Sequence, residues 1–155
     1  MKLIAHRGNI NGKNPERENT ESYIVNAINA SYYVEIDLWV VNNNLYLGHD
    51  DPVNKISMDF LREHASHLFI HCRDLKTLEF LSNHEDASKF RYFYHTVEPA
   101  VMTNHGEIIM HSHANMCIKN SIYMLPEILG IEDVYLKNCS GICSDVISNY
   151  LHFNW

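Results

Sequence analysis

Short apolar runs alternate with polar connections along the whole chain, without an internal repeat, a low-complexity tract or a linker. Lys2 to Ala5 reads as a first strand. Asn19 or Thr20 can cap a helix over Glu21 to Ala30, where Tyr23, Ala27 and Ala30 fall at helical spacing. Tyr32 to Val41 is a β-rich run. Asn42, Asn43 and Asn44 form a turn, and Leu45 to Leu47 returns as the second arm of a hairpin. A short helix over Ser57 to His64, a strand over Leu68 to Cys72 and a helix over Leu75 to Ser82 follow. Further strands are predicted at Arg91 to Tyr94, Glu107 to His111, Ser121 to Leu125 and Gly141 to Ser144. Strand and helix alternate in the first half, while loops replace helices in the second. This alternation predicts an α/β fold with a parallel sheet or barrel.

Several strands end in polar clusters. His6 and Arg7 follow the first, Glu35 and Asp37 lie in the second, and His49 and Asp50 follow the hairpin. His71 and Arg73, His95 and Glu98, and His111 and His113 come later. In parallel α/β sheets the chemistry collects at the carboxyl ends of the strands, so the pattern predicts one shared site. The plain alternative is that each histidine is an ordinary surface residue.

Glu35-Ile36-Asp37 is the most informative segment. Residues i and i+2 of a strand share a face. Val34, Ile36, Leu38 and Val40 therefore form an aliphatic face, and Tyr33, Glu35, Asp37 and Trp39 the opposite one. Two carboxylates flanked by aromatics repel each other, and a divalent cation relieves that repulsion. Oxygen ligands point to Mg²⁺ or Ca²⁺. Two ordinary acids on an exposed edge strand are the alternative.

His6 can move a proton at neutral pH, the Arg7 guanidinium can fork onto a phosphate, and Gly8 allows a sharp turn. His49 supplies a second histidine for an acid/base pair. A zinc reading built on His111, His113 and a thiol lacks a clear third ligand. Glu98-Pro99 and Pro126-Glu127 read as loop punctuation.

Composition narrows these options. A chain of 155 residues with 46% hydrophobic and 20% charged residues has the profile of one globular domain over 1–155. Its net charge of −7 is the wrong sign for a general binder of nucleic acid or anionic membranes. An anionic substrate would then need a local offset such as a bound cation. No secretory signal and no transmembrane stretch are evident, and the scattered Cys72, Cys117, Cys139 and Cys143 read as reduced thiols of a cytoplasmic protein.

Together, His6-Arg7-Gly8, Glu18-Asn19-Thr20 opening a helix, Glu35-Ile36-Asp37 and Gly48-His49-Asp50 resemble the N-terminal signature of glycerophosphodiester phosphodiesterases, within the phospholipase-C-like phosphodiesterases. Gly141 to Asp145 is similar to the last strand of that family's barrel, whereas residues 55 to 135 match only loosely, as in a compact, divergent branch. The resemblance implies a TIM-type barrel and a small phosphodiester substrate. It implies a divalent ion on Glu35 and Asp37, and His6 and His49 as general acid and base. Arg7 would hold a phosphate oxygen, and Glu18 would lie close to the metal.

The departures matter. His71 stands where the family has a third acidic ligand, and Arg73 where it has a lysine. An imidazole ligand admits Mn²⁺ or Zn²⁺ beside Mg²⁺ or Ca²⁺. Glu98 is a candidate replacement acid, and His95 a pocket wall or ligand; both are grouped with Arg73 and Glu18 as substrate-binding candidates. TIM barrels typically need about 200 residues or more, so the expectation is a minimal or incomplete (β/α) barrel with helices reduced to loops in its second half. The expected activity is metal-dependent phosphodiester cleavage. The alternative is a degenerate, non-catalytic barrel that binds a phosphorylated head group or sugar.

Overall fold

A computed structural model describes residues 1–111, 118–128 and 130–153. Its strands are β1 (Lys2–His6), β2 (Tyr33–Val41), β3 (Asn44–Leu47), β4 (Asn54–Ile56), β5 (Leu68–Cys72), β6 (Tyr92–Tyr94), β7 (Ala100–Met102), β8 (Ile108–Met110), β9 (Ile122–Met124) and β10 (Gly141–Ser144). Helices α1 (Glu21–Asn29), α2 (Met58–His64) and α3 (Leu75–Asn83) fall in the first half, followed by the four-residue α4 (Asp133–Leu136) and two 3₁₀ segments, Pro126–Ile128 and Ile147–Phe153.

The long strand β2 is the hub. It pairs in parallel with β1 along Tyr33–Glu35 and with β5 along Val34–Leu38, and antiparallel with β3 along Leu38–Val41. β5 continues to β6, and β1 continues through β10 and β9 to β8, all in parallel. β7 runs antiparallel to β8, and β4 antiparallel to β3. The result is a mixed ten-stranded sheet that curls without closing: among the described residues no ladder joins β6 to β7.

This corrects the expected minimal or incomplete TIM-type barrel. The finding that overturns it is a strand-dominated, mixed sheet in place of alternating β/α units. The physical reason lies in the connections. After α3 the only α-helix among the described residues is the four-residue α4, and the extra antiparallel strands β4, before α2, and β7, before β8, which the sequence reading missed, break the β/α alternation.

The sheet's two faces are packed differently. Outside, Val34, Ile36 and Leu38 of β2 bury against α1, α2 and α3 through Ile24, Ala27, Phe60, Leu61 and Leu81. Each such buried Val, Leu, Ile or Phe side chain contributes roughly 1.5–3 kcal/mol. Ser57 caps α2 by accepting from Phe60 N, and Asp74 caps α3 by accepting from Thr77 N (2.8 Å). Inside the curl, Ile4, Phe69, Phe93, Ile109, Ile122, Met124 and Cys143, from six strands, fill one apolar plug. The described cysteines, Cys72, Cys139 and Cys143, are buried; Cys117 lies outside the described residues. Among the described residues no helix is long and apolar enough to cross a membrane.

Candidate active site

The apolar plug determines where polar groups emerge. Strand side chains alternate, so the residue two positions past each plug residue faces the same interior one layer higher. Ile4 is followed by His6, Phe69 by His71, Phe93 by His95, Ile109 by His111 and Cys143 by Asp145. On β2 the same step carries Tyr33 to Glu35 and then Asp37. Carboxyl ends of strands scattered over the chain thus converge on a cavity of about 480 Å³ lined by His6, Arg7, Glu35, Asp37, His49, His71, Arg73, His95, Thr96 and His111.

Glu35, Asp37 and His71 are buried and present one donor atom each within 4.8 Å of one another. Glu35 Oε2 is buried and has no hydrogen-bond partner; its nearest base, His6 Nε2, is 3.8 Å away. Burial, and then repulsion from Asp37, push the Glu35 pKa up. Burial also opposes ionisation of Asp37, but its contact with His71 and the charge of Arg7 reverse this and hold its pKa well below the usual carboxylate range. Asp37 Oδ2 lies 2.9 Å from Arg7 Nε and accepts from Asn19 Nδ2 (2.9 Å). Asn19 Oδ1 accepts from Asp37 N (3.0 Å). Asn19 therefore serves the site, and Thr20 stands at the α1 N-cap with its hydroxyl donating to Arg17 O (2.8 Å) instead of capping the helix. A converging set of buried donors with an orphaned carboxylate oxygen fits a divalent cation.

His6 is held from behind. Its Nδ1 lies 2.7 Å from Asp145 Oδ1, so Nε2 faces Glu35 and the cavity. Asp145 in turn accepts from Asn9 Nδ2 (2.8 Å), and its backbone N–H donates to Glu127 Oε1 (2.8 Å). Burial disfavours the imidazolium, but the Asp145 bond and the Glu35 charge outweigh it and raise the His6 pKa. His49 is placed by the β3–β4 loop, and its Nδ1 lies 2.7 Å from Asp50 Oδ1. Partial burial and then the Arg7 charge lower its pKa. The two histidines are thus biased in opposite directions, as an acid and a base require.

The backbone around the cavity is unusual. Arg7, Asn19 and Leu125 adopt positive φ (54°, 56° and 51°) although none is glycine. Bonds from Arg7 N to Glu35 O (2.9 Å) and from Asn19 N to Arg7 O (3.1 Å) hold the first two in place. Gly8, at φ 90°, is required because a Cβ there would lie 2.9 Å from the Tyr23 ring.

The remaining candidates divide. Arg73 lines the cavity beside His71. Glu18 does not line this cavity; it accepts from Arg7 Nη1 (3.2 Å) and Asn9 Nδ2 (2.9 Å) and so braces both. Glu98 also stays out. Its carboxylate accepts from Thr96 N (3.0 Å), Thr96 Oγ1 and Val97 N, led by the Thr96 N–H in lowering its pKa to about 2. It shapes the loop that carries Thr96 and His95 and lies outside the Glu35/Asp37/His71 set. His95 and His111 form a wall, their rings stacked at 3.3 Å. His111 therefore faces this cavity, and the zinc reading that joined it to His113 falls on a residue outside those described.

Sequence reasoning missed Asn9, Asn19, Thr96, Glu127 and Asp145 as parts of the site. Asp145 carries a usable signal, since it follows the apolar Cys143 by two positions as His6 follows Ile4. Glu127, read as loop punctuation, has no such signal. Comparison with known protein families, with curated proteins and with solved structures finds no match to this chain.

Proposed function

We propose that this chain is a metal-assisted phosphodiesterase acting on a small, glycerophosphodiester-like substrate. The observation that carries the reading is the meeting, in one cavity, of a buried Glu35/Asp37/His71 donor set with an orphaned oxygen and two histidines of opposite bias. The four-motif resemblance between His6 and Asp50 supports the same reading.

Glu35, Asp37 and His71 would hold the cation. When bound, it supplies charge neutralisation at the phosphoryl oxygens. Arg7, pinned between Asp37 and Glu18, presents a fixed guanidinium to the phosphate. His49, kept neutral at lower pH, takes the proton of the attacking hydroxyl or water. His6, oriented through Nδ1 by Asp145, carries a proton on Nε2 and delivers it to the leaving alkoxide. The two carboxylates suit a hard Mg²⁺ or Ca²⁺, and the His71 imidazole also admits Mn²⁺ or Zn²⁺. The buried thiols of Cys72 and Cys143 agree with a cytoplasmic setting.

One observation favours a second reading, a non-catalytic binder of phosphorylated head groups. Asp37 already lies near Arg7, Arg73 and His71, so the site is charge-balanced without an ion. Turnover of a chromogenic diester and a glycerophosphodiester panel by metal-stripped protein decides between the two. Activity restored by one of Mg²⁺, Ca²⁺, Mn²⁺ or Zn²⁺, and abolished by His6→Ala and Asp37→Asn, is the expected result. Folded protein that binds diesters without turnover under any ion establishes the binder instead.

A further inference from the structure

Arg73 occupies a position that a cation would need. Its backbone N–H donates to Leu38 O (3.0 Å), anchoring the residue between β2 and β5. Its Nη1 lies 3.2 Å from His71 Nδ1 and 3.5 Å from Asp37 Oδ1, and those two atoms are 3.2 Å apart. A guanidinium has donors only, so it bonds Nδ1 only through the imidazole lone pair. On the other side, His71 Nε2 faces the His95 carbonyl at 3.4 Å, and a carbonyl only accepts. The roles of the ring nitrogens follow the tautomer: with the proton on Nδ1 the ring donates to Asp37, and with the proton on Nε2 the Nδ1 lone pair is turned toward Asp37. In the second form two acceptors this close repel unless positive charge bridges them, and Arg73 Nη1 is that bridge.

The same two residues supply two of the three donors in the cation set. A guanidinium and a divalent ion cannot share those lone pairs, and their charges repel. The two arginines also differ in freedom. The Arg7 side chain is 12% exposed and lies against both Asp37 and Glu18, whereas that of Arg73 is 20% exposed and, among the described residues, forms an ion pair only with Asp37, at 3.5 Å.

We propose that Arg73 is a displaceable stand-in for the ion. In the metal-free protein it bridges His71 and Asp37 and keeps the donor atoms in place. When the ion takes those atoms, Arg73 leaves them and its guanidinium becomes available to the phosphodiester lining the same cavity. Cation and anion then bind as a pair, each strengthening the other, because linkage is reciprocal. This inference rests on the proposed metal site.

The test is calorimetric titration of Mn²⁺ into the full chain and into Arg73→Met, with and without dimethyl phosphate as the anion probe. Circular dichroism confirms that the variant is folded. Without the anion, Arg73→Met is expected to bind Mn²⁺ at least about tenfold more tightly than the wild type, since nothing must be displaced. Dimethyl phosphate should raise the wild-type Mn²⁺ affinity about tenfold and that of Arg73→Met less than about threefold. Equal or weaker Mn²⁺ binding by Arg73→Met, or equal enhancement by the anion in both proteins, overturns the proposal while leaving the metal site standing. Absence of Mn²⁺ binding in both proteins overturns the metal reading itself. Arginine side-chain NMR adds a readout that charge removal cannot mimic: unchanged Arg73 signals at Zn²⁺ saturation also sink the exchange.

Discussion

Asp145→Asn isolates what the carboxylate charge contributes to His6. The amide keeps an oxygen that can accept from His6 Nδ1 and from Asn9 Nδ2, which lie 2.7 and 2.8 Å from Asp145 Oδ1, so the geometry survives while the charge is lost. A hydrogen bond with a charged partner is worth about 1.5–3 kcal/mol and a neutral one about 0.5–1.5, so the difference is about 1–2 kcal/mol. That corresponds to a fall of about one unit in the His6 pKa. The effect on stability has a pH window. The raised His6 pKa adds stability that is fully present below its ordinary value of 6.5 and is lost as pH rises through the raised value. The lowered Asp145 pKa adds stability that is present above its ordinary 3.8 and is lost as pH falls through the lowered value. The penalty of the substitution should therefore peak between these two ordinary values and shrink in alkaline solution. Urea unfolding at pH 5.5 and pH 9, with NMR titration of the His6 ring, measures both quantities. A His6 pKa that does not fall in Asp145→Asn, or a penalty that grows toward pH 9, would refute the argument that Asp145 charges and orients His6.

Glu35→Gln should stabilise the metal-free protein at neutral pH, because the raised Glu35 pKa makes its ionised form unfavourable in the fold. The same change should abolish any metal-induced rise in melting temperature. Thermal unfolding with and without Mn²⁺ checks both, and an unchanged metal shift counts against Glu35 as a ligand. Gly48→Ala should destabilise by about 2–4 kcal/mol and disturb His49, since a Cβ at φ 154° would lie 2.0 Å from Asp51 O; denaturant unfolding measures it. Glu98→Ala should leave Mn²⁺ affinity within about twofold of wild type, since that carboxylate serves only its own loop; a tenfold loss by calorimetry would restore it as a ligand.

What was legible in the chain was local. The alternation of Glu35, Asp37 and the aliphatic Val34, Ile36 and Leu38 depends only on strand geometry, and the structure buries the aliphatic face under helices as that alternation requires. The 68–72 strand and the 141–144 strand lie where their apolar runs predict. Two strands were not legible: Asn54–Ile56 lacks a contiguous apolar run, and both it and Ala100–Met102 exist through their partners β3 and β8. Glu18 and Glu98 were placed by motif and loop position, but one braces Arg7 and the other its own turn, choices decided by which donors lie nearest in space.

Residue order along the chain settles which side chains share a face, because that depends on dihedral periodicity over a few residues. It thereby marked the histidines and acids as strand-end groups. It could not settle which strand ends meet. The His6–Asp145 contact joins residues 139 positions apart and exists because β1 and β10 pair with Ala5 opposite Ser144. A one-residue slip in that register would turn Asp145 away from His6. The curl of the sheet, the seam without a ladder between β6 and β7 among the described residues, and the bridge of Arg73 across Asp37 and His71 are likewise products of packing. They depend on distances among elements remote in sequence, and only the folded chain brings those distances into being.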